Sequence, residues 1–93
     1  MTVHHVNGTN KGFIRLYALS TCGWCKKTKN LLNTLGVAYD YIDVDYLMGQ
    51  ERTKVIKEIE EWNPHCSFPT LVINNTHCIV GFKEKDIRKV IGS

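Results

Sequence analysis

Cysteine is too scarce in this chain for a disulfide-stapled secreted scaffold. Four occur among 93 residues, about 4% against the roughly 8–10% of such scaffolds, so they need another explanation. The sequence opens Met1-Thr2-Val3-His4-His5-Val6-Asn7-Gly8, without the basic start, apolar core and small-residue cleavage site of a signal peptide. A reducing cytoplasm is therefore expected, where thiols serve catalysis or metal binding more often than stapling. Long apolar runs are missing as well. The longest stretch free of Asp, Glu, Lys and Arg, Trp62 to Phe82, is broken by Asn63, Pro64, His65, Ser67, Pro69, Asn74, Asn75 and His77, so no membrane association is expected. Charge is only mildly one-sided. Twelve basic against nine acidic side chains give +3, which favours anionic small molecules or acidic proteins slightly and does not indicate nucleic acid. Repeats, low-complexity segments and linkers are absent too.

What is present fits one globular domain. A chain of 93 residues buries only roughly 60–65% of its unfolded surface and has none to spare for a second core. The hydrophobic share of 43%, with 23% charged residues, argues against disorder. Residues 1–12 mix Asn, Gly, Thr and His without periodicity and are expected to form a flexible N-terminal tail, with His4 and His5 solvated rather than metal-binding. The domain then covers 13–93. Phe13 to Leu19 is short and apolar and suits a strand buried on both faces. From Trp24 to Leu35 the period changes: Trp24, Thr28, Leu31, Leu32 and Leu35 share one helical face, and Gly36 ends it. Ala38 to Asp45 reads as a second strand, parallel to the first through a right-handed crossover. Gln50 to Trp62 reads as a helix striped by Val55, Ile56, Ile59 and Trp62, and closed by Asn63-Pro64. Thr70–Ile73 and His77–Val80 make a hairpin about Asn74-Asn75-Thr76, and Ile87, Val90 and Ile91 stripe a last short helix. The sum is an α/β chain in the order βαβαββα, a four-stranded mixed sheet flanked by helices.

Cys22-Gly23-Trp24-Cys25 stands where the first strand gives way to the first helix. The spacing brings both sulfurs onto one turn, close enough for a reversible disulfide. Cys22, at the helix start, faces unpaired N–H groups and the positive end of the helix dipole, which favour its thiolate. Cys25 lies one turn in and is the more shielded thiol. This asymmetry makes Cys22 the nucleophile, which forms a mixed disulfide with substrate, and Cys25 the resolving thiol. Lys26, Lys27 and Lys29 add positive charge and also form the solvated helix face. Zinc is disfavoured, because Cys66 and Cys78 are twelve positions apart with no partner at ligand spacing. An inert structural disulfide conflicts with a cytoplasmic setting. An iron–sulfur cluster shared between subunits through Cys22 stays open as an alternative, as does a redox-sensing module whose Cys22–Cys25 state controls docking.

Over about residues 13–91 the sequence resembles glutaredoxins, small members of the thioredoxin superfamily. The resemblance rests on Tyr17, Thr21 and Cys22, then on Cys25, Lys29, Leu32, Gly36, Val37, Tyr39 and Ile42-Asp43-Val44-Asp45. Pro69, Ile73, Asn74 and Gly81 complete it. It implies a thioredoxin-like fold and a cis Phe68-Pro69 bond that sets the Phe68 backbone beside the thiols to pair with an extended substrate. The substrate-binding residues it implies are Thr21, Gly23, Trp24, Phe68, Pro69, Gly81 and Phe82. Departures are also present. Leu19 stands where many members carry a lysine for a glutathione carboxylate, and Val80-Gly81-Phe82-Lys83 lacks their paired glycines followed by aspartate. Gly81-Phe82 looks more like the ribonucleotide-reductase-linked redoxins, which argues against glutathione as electron donor.

The expected function is that of a monomeric dithiol oxidoreductase for protein or low-molecular-weight disulfides, serving electron transfer and cell redox homeostasis. No cofactor beyond the redox-active disulfide is implied, apart from the [2Fe-2S] cluster of the alternative reading, and no metal ligands are assigned. An external thiol or reductase must supply electrons, since so short a chain has no room for a built-in one. Trp24 reads as an exposed platform. Cys66, near Pro69, reads as an auxiliary thiol or a small packing residue, and Cys78 and Trp62 read as core.

Overall fold

The computed structural model describes residues 3–92. Its elements run β1 (His4–Val6), β2 (Ile14–Ala18), α1 (Gly23–Leu35), β3 (Tyr39–Asp43), a 3-10 turn (Val44–Tyr46), α2 (Gly49–Trp62), β4 (Thr70–Ile73), β5 (His77–Val80) and α3 (Glu84–Ile91). The strands form one mixed sheet in the order β1-β3-β2-β4-β5. β2 and β3 are parallel, as the crossover through α1 requires, and every other pair is antiparallel.

β2 is buried on both faces because its side chains alternate between two cores. Ile14, Leu16 and Ala18 point to one side, where Leu31 and Leu32 of α1, Leu71 and Ile73 of β4 and Ile87 and Ile91 of α3 meet them. Tyr17 points to the other, where Ile42, Val44, Val72 and the α2 residues Val55 and Ile59 close the second core. Helix α1 stops because Gly36 takes φ of 69° and returns its N–H to the Leu32 and Asn33 carbonyls, a conformation costly for any residue with a Cβ. Asn74 and Asn75, at φ of 54° and 53°, turn the β4–β5 hairpin as their tolerance of positive φ allows. Among the described residues no helix is long and apolar enough to cross a membrane.

The sheet has five strands rather than four, because part of the expected tail is a strand. Within residues 1–12, Met1 and Thr2 lie outside the described residues. His4–Val6 pairs antiparallel with Tyr39–Tyr41, and Thr9 bridges to Val37. The physical reason is the open edge of β3, whose backbone groups gain partners from any extended segment that reaches them. His4 stacks on Tyr41 with ring centroids 4.8 Å apart, and His5 Nδ1 lies 2.7 Å from Asp40 Oδ1. The two histidines are exposed, but each has a partner on β3. Two exposed histidines and one half-buried valine carry no readable alternation, so this strand is invisible to hydrophobic patterning. Cys78 is a second correction: it sits half-buried on the edge strand β5, outside both cores. Trp62 packs against the α2-side core while keeping part of its surface exposed.

The two-core arrangement predicts a contrast. Leu16→Ala, at a fully buried position, is expected to cost about 2–5 kcal/mol. His5→Ala, on the exposed edge strand, should cost about 1 kcal/mol or less. Urea unfolding of the two variants checks the ranking.

Candidate functional site

Cys22 is the N-cap of α1. Its backbone is extended, with φ −84° and ψ 117°, and its Sγ accepts the Cys25 backbone N–H at 3.2 Å. The Cys22 N–H donates to the Leu19 carbonyl at 3.1 Å, and the Lys26 N–H donates to the Cys22 carbonyl at 3.1 Å, so the backbone on both sides of the sulfur is held. A negative charge on this Sγ would face the helix N-terminus, where the dipole favours anions. Cys22 is partly exposed, whereas Cys25 is wholly buried, and both are free thiols. Burial, reinforced by the hydrogen bond to Cys22, pushes the Cys25 thiol up to about 12; the Leu19 backbone and the Lys29 charge oppose the shift. The more shielded second thiol expected one turn into the helix lies deep in the α1-side core.

Lys29 is held half-buried, with Nζ 3.2 Å from Asp43 Oδ1 and 4.1 Å from the centre of the Tyr41 ring. Its charge is therefore largely paired, and the free positive charge on this face falls to exposed Lys26 and Lys27. Lys27 Nζ lies 4.6 Å over the Trp24 ring. Trp24 is 58% exposed and stacks against Phe82 with centroids 6.2 Å apart and planes 22° from parallel.

Five of the implied substrate-binding residues converge. Trp24, Phe68, Pro69, Gly81 and Phe82 line one cleft of about 200 Å³, so the residue between the two cysteines forms part of its wall. Phe68-Pro69 is cis, as the resemblance implies. Gly81, at φ of 84°, donates its N–H to the Pro69 carbonyl at 2.9 Å, which closes the floor of the cleft. Thr21 and Gly23 are exposed at the helix entrance and do not line it. A Cβ at Gly23 would meet nothing within 4 Å, so packing does not demand glycine there. Larger hollows lie elsewhere, one of about 390 Å³ between β1 and Tyr39. Cys66 packs against the α2-side core, in a different layer from Cys22, which packs on the α1 side. Its thiol is raised by burial and then by Glu60.

Sequence reasoning missed two polar supports. Asn63, read only as a helix stop, is buried and directs Nδ2 to Ser67 Oγ at 3.0 Å and Thr70 Oγ1 at 3.2 Å, while Thr70 donates to the Ser67 carbonyl at 2.7 Å. This network shapes the loop that delivers Phe68 and Pro69. At the other side of the site, the Ser20 N–H donates to Asp45 Oδ1 at 2.9 Å and its hydroxyl donates to Oδ2. The pair holds the Asp45 carboxyl below the usual carboxylate range, the hydroxyl bond contributing first. A helix-ending Asn four residues before a serine and seven before a threonine is the hint the sequence offers of the first network. The second joins residues 25 positions apart and has none.

With this geometry established, the likeness to known proteins is specific. The glutaredoxin family model matches residues 14–78. An uncharacterized glutaredoxin-like 8.6 kDa protein in the rubredoxin operon of Clostridium pasteurianum is 32% identical over 78 residues, covering 84% of this chain and 96% of that one. The crystal structure of the glutaredoxin from Methanosarcina mazei Go1 superposes with a TM-score of 0.92 at 50% identity, covering 98% of this chain and 88% of that one. Methanoredoxin of Methanosarcina acetivorans gives a TM-score of 0.89 at 50% identity, covering 92% and 90%.

Two outcomes follow from the difference in depth. Iodoacetamide at pH 8 should alkylate Cys22 at least about tenfold faster than Cys25, as peptide mass mapping would show. Cys25 ionises in the unfolded chain near the ordinary thiol value, about 8.5, but only near 12 when folded. Its neutral form therefore contributes stability that is complete below the unfolded value and is lost as pH rises toward the folded one. Between pH 8 and 10.5, Cys25→Ala should lose less stability than the parent in urea titrations.

Proposed function

The chain belongs to the glutaredoxin family, and we propose that it is a dithiol thiol–disulfide oxidoreductase that reduces protein or low-molecular-weight disulfides through a reversible Cys22–Cys25 bridge. The observation that carries this reading is the contrast between an accessible Cys22 sulfur at a helix N-terminus and a buried Cys25 thiol pushed up to about 12. Two equal thiols would compete for substrate; these two take successive roles.

In the proposed cycle the Cys22 thiolate attacks one sulfur of a substrate disulfide. A Cys22–substrate bond forms, the substrate S–S bond breaks, and the departing thiolate takes a proton from solvent. Cys25 then gives up its proton to solvent and attacks the Cys22 sulfur, breaking the Cys22–substrate bond and releasing the second substrate thiolate, which is protonated from solvent in turn. Two electrons have passed to the substrate, and the protein holds a Cys22–Cys25 disulfide. Consumption of the Cys22 thiolate in the first step removes the negative neighbour that opposes Cys25 ionisation, so the second step becomes easier once the first is complete. An outside dithiol or reductase restores both thiols. Leu19 and Val80-Gly81-Phe82-Lys83 support a donor other than glutathione, and the aromatic cleft supports substrates that lay an extended chain across Phe68 and Pro69. We place this activity in a reducing cytoplasm and assign it to the monomer.

Cys22→Ser is expected to reduce turnover of a disulfide substrate to the uncatalysed rate. Cys25→Ser should complete only the first half, accumulating a protein–substrate mixed disulfide by intact mass. Turnover by Cys22→Ser at more than half the parent rate would overturn the reading.

A further inference from the structure

Burial keeps the Cys25 thiol protonated, yet the second step of the proposed cycle needs its thiolate. Burial and the hydrogen bond to Cys22 raise this thiol, and the charge of a Cys22 thiolate raises it further, while the Leu19 backbone and Lys29 lower it. Once Cys22 is bonded to a substrate, its own charge is gone. Lys29 is then the charged side chain that still acts on the resolving thiol.

Two elements place Lys29 for this. It follows Cys25 by one turn of α1, so the two side chains leave the same face of the helix. β3 then fixes the ammonium: Tyr41 and Asp43, two residues apart on one face of the strand, set a ring centre 4.1 Å and a carboxylate oxygen 3.2 Å from Lys29 Nζ. Tyr41 stacks in turn on His4 of β1. The Lys29 and Asp43 side chains are only 22% and 11% exposed, so solvent screens them less than a surface pair. β4, β5 and α3 bring apolar Leu71, Ile79 and Ile87 to the core that Cys25 enters, and Lys26 and Lys27 are exposed.

We propose that Asp43 and Tyr41 are positioning residues for the resolving step: they hold Lys29 one turn from Cys25 with its charge partly neutralised, and so set the pH at which Cys25 attacks the Cys22 sulfur. This inference rests on the dithiol reading of Cys22 and Cys25. It adds a device that leaves Cys25 protonated while Cys22 is free and lets it ionise once the mixed disulfide has formed. The two members of the pair act with opposite sign. Removing the Lys29 charge disfavours the Cys25 thiolate, whereas removing the Asp43 charge unmasks Lys29 and favours it. Loosened packing would instead move both variants the same way.

The test mixes reduced protein with an equimolar amount of the aryl disulfide dithiobis(nitrobenzoate) in stopped flow and follows the coloured product. Attack by the Cys22 thiolate breaks the reagent's S–S bond and releases the first nitrothiobenzoate. Cys25 then loses its proton to solvent, attacks the Cys22 sulfur and releases the second, leaving the Cys22–Cys25 disulfide. The rate of the second release is measured from about pH 6.5 to about pH 9.5, a window below the folded Cys25 value. At about pH 7.5, Lys29→Gln is expected to slow it about fivefold and move its pH profile upward, and Asp43→Asn to speed it about threefold and move the profile downward. Lys29→Arg, which keeps the charge, should stay within about twofold of the parent. Shifts of the same sign in Lys29→Gln and Asp43→Asn, or no shift in either, overturn the role of the pair. A parent that releases only the first nitrothiobenzoate overturns the dithiol reading, and the role of the pair with it.

Discussion

The structure turns on how helix α1 begins. A helix leaves its first backbone N–H groups without partners, and here a sulfur supplies one, with Cys22 Sγ accepting the Cys25 N–H. A neutral thiol is a weak acceptor, so this cap is poorer than the usual Ser, Thr, Asp or Asn, and a charged sulfur would fill it better. The helix must therefore be held by something else. That support is the burial of its inner face, where Cys25, Thr28, Leu31 and Leu32 enter the α1-side core. Packing fixes the position of the helix, and the position of the helix presents the sulfur.

The same packing separates the two thiols chemically. Residues three apart share a side of the helix, but Cys25 enters the core while Cys22, at the cap, stays at its rim. Depth, more than neighbouring charge, distinguishes them: burial is the largest cause of the Cys25 shift, and the Lys29 charge that opposes it is already paired with Asp43. Around this point the ends of β2, β3, β4 and β5 deliver the remaining parts. β4 and β5 bring Pro69 and Gly81 within one hydrogen bond, and the aromatic ring after β5 meets the one between the thiols. β3 brings the turn that Ser20 secures.

Much of this was legible in order along the chain. The change from a two-sided apolar strand to a 3.6-residue stripe at Cys22 located the thiol pair at a strand-to-helix junction. The Asn-Asn turn defined the hairpin because those residues tolerate positive φ, and Gly36 ended α1 for a related reason. β1 was not legible, because a three-residue strand with two exposed side chains takes its stability from the partner edge and not from its own pattern. Cys78 was misread for a similar reason. Its apolar neighbours resemble a core strand, but β5 lies at the sheet edge, where one residue in two need not be covered.

Local sequence by itself determined the element order, the thiol spacing and the sulfur at the helix start, since periodicity, caps and turns are properties of neighbours in the chain. Tertiary structure alone decided the depth of Cys25, the pairing that withdraws Lys29, the cleft that joins Trp24 to Phe82 and the turn tied to Ser20 by Asp45. Each of these depends on distances between segments many residues apart. Such distances are set by how two cores pack on opposite faces of one sheet, and no local pattern encodes them.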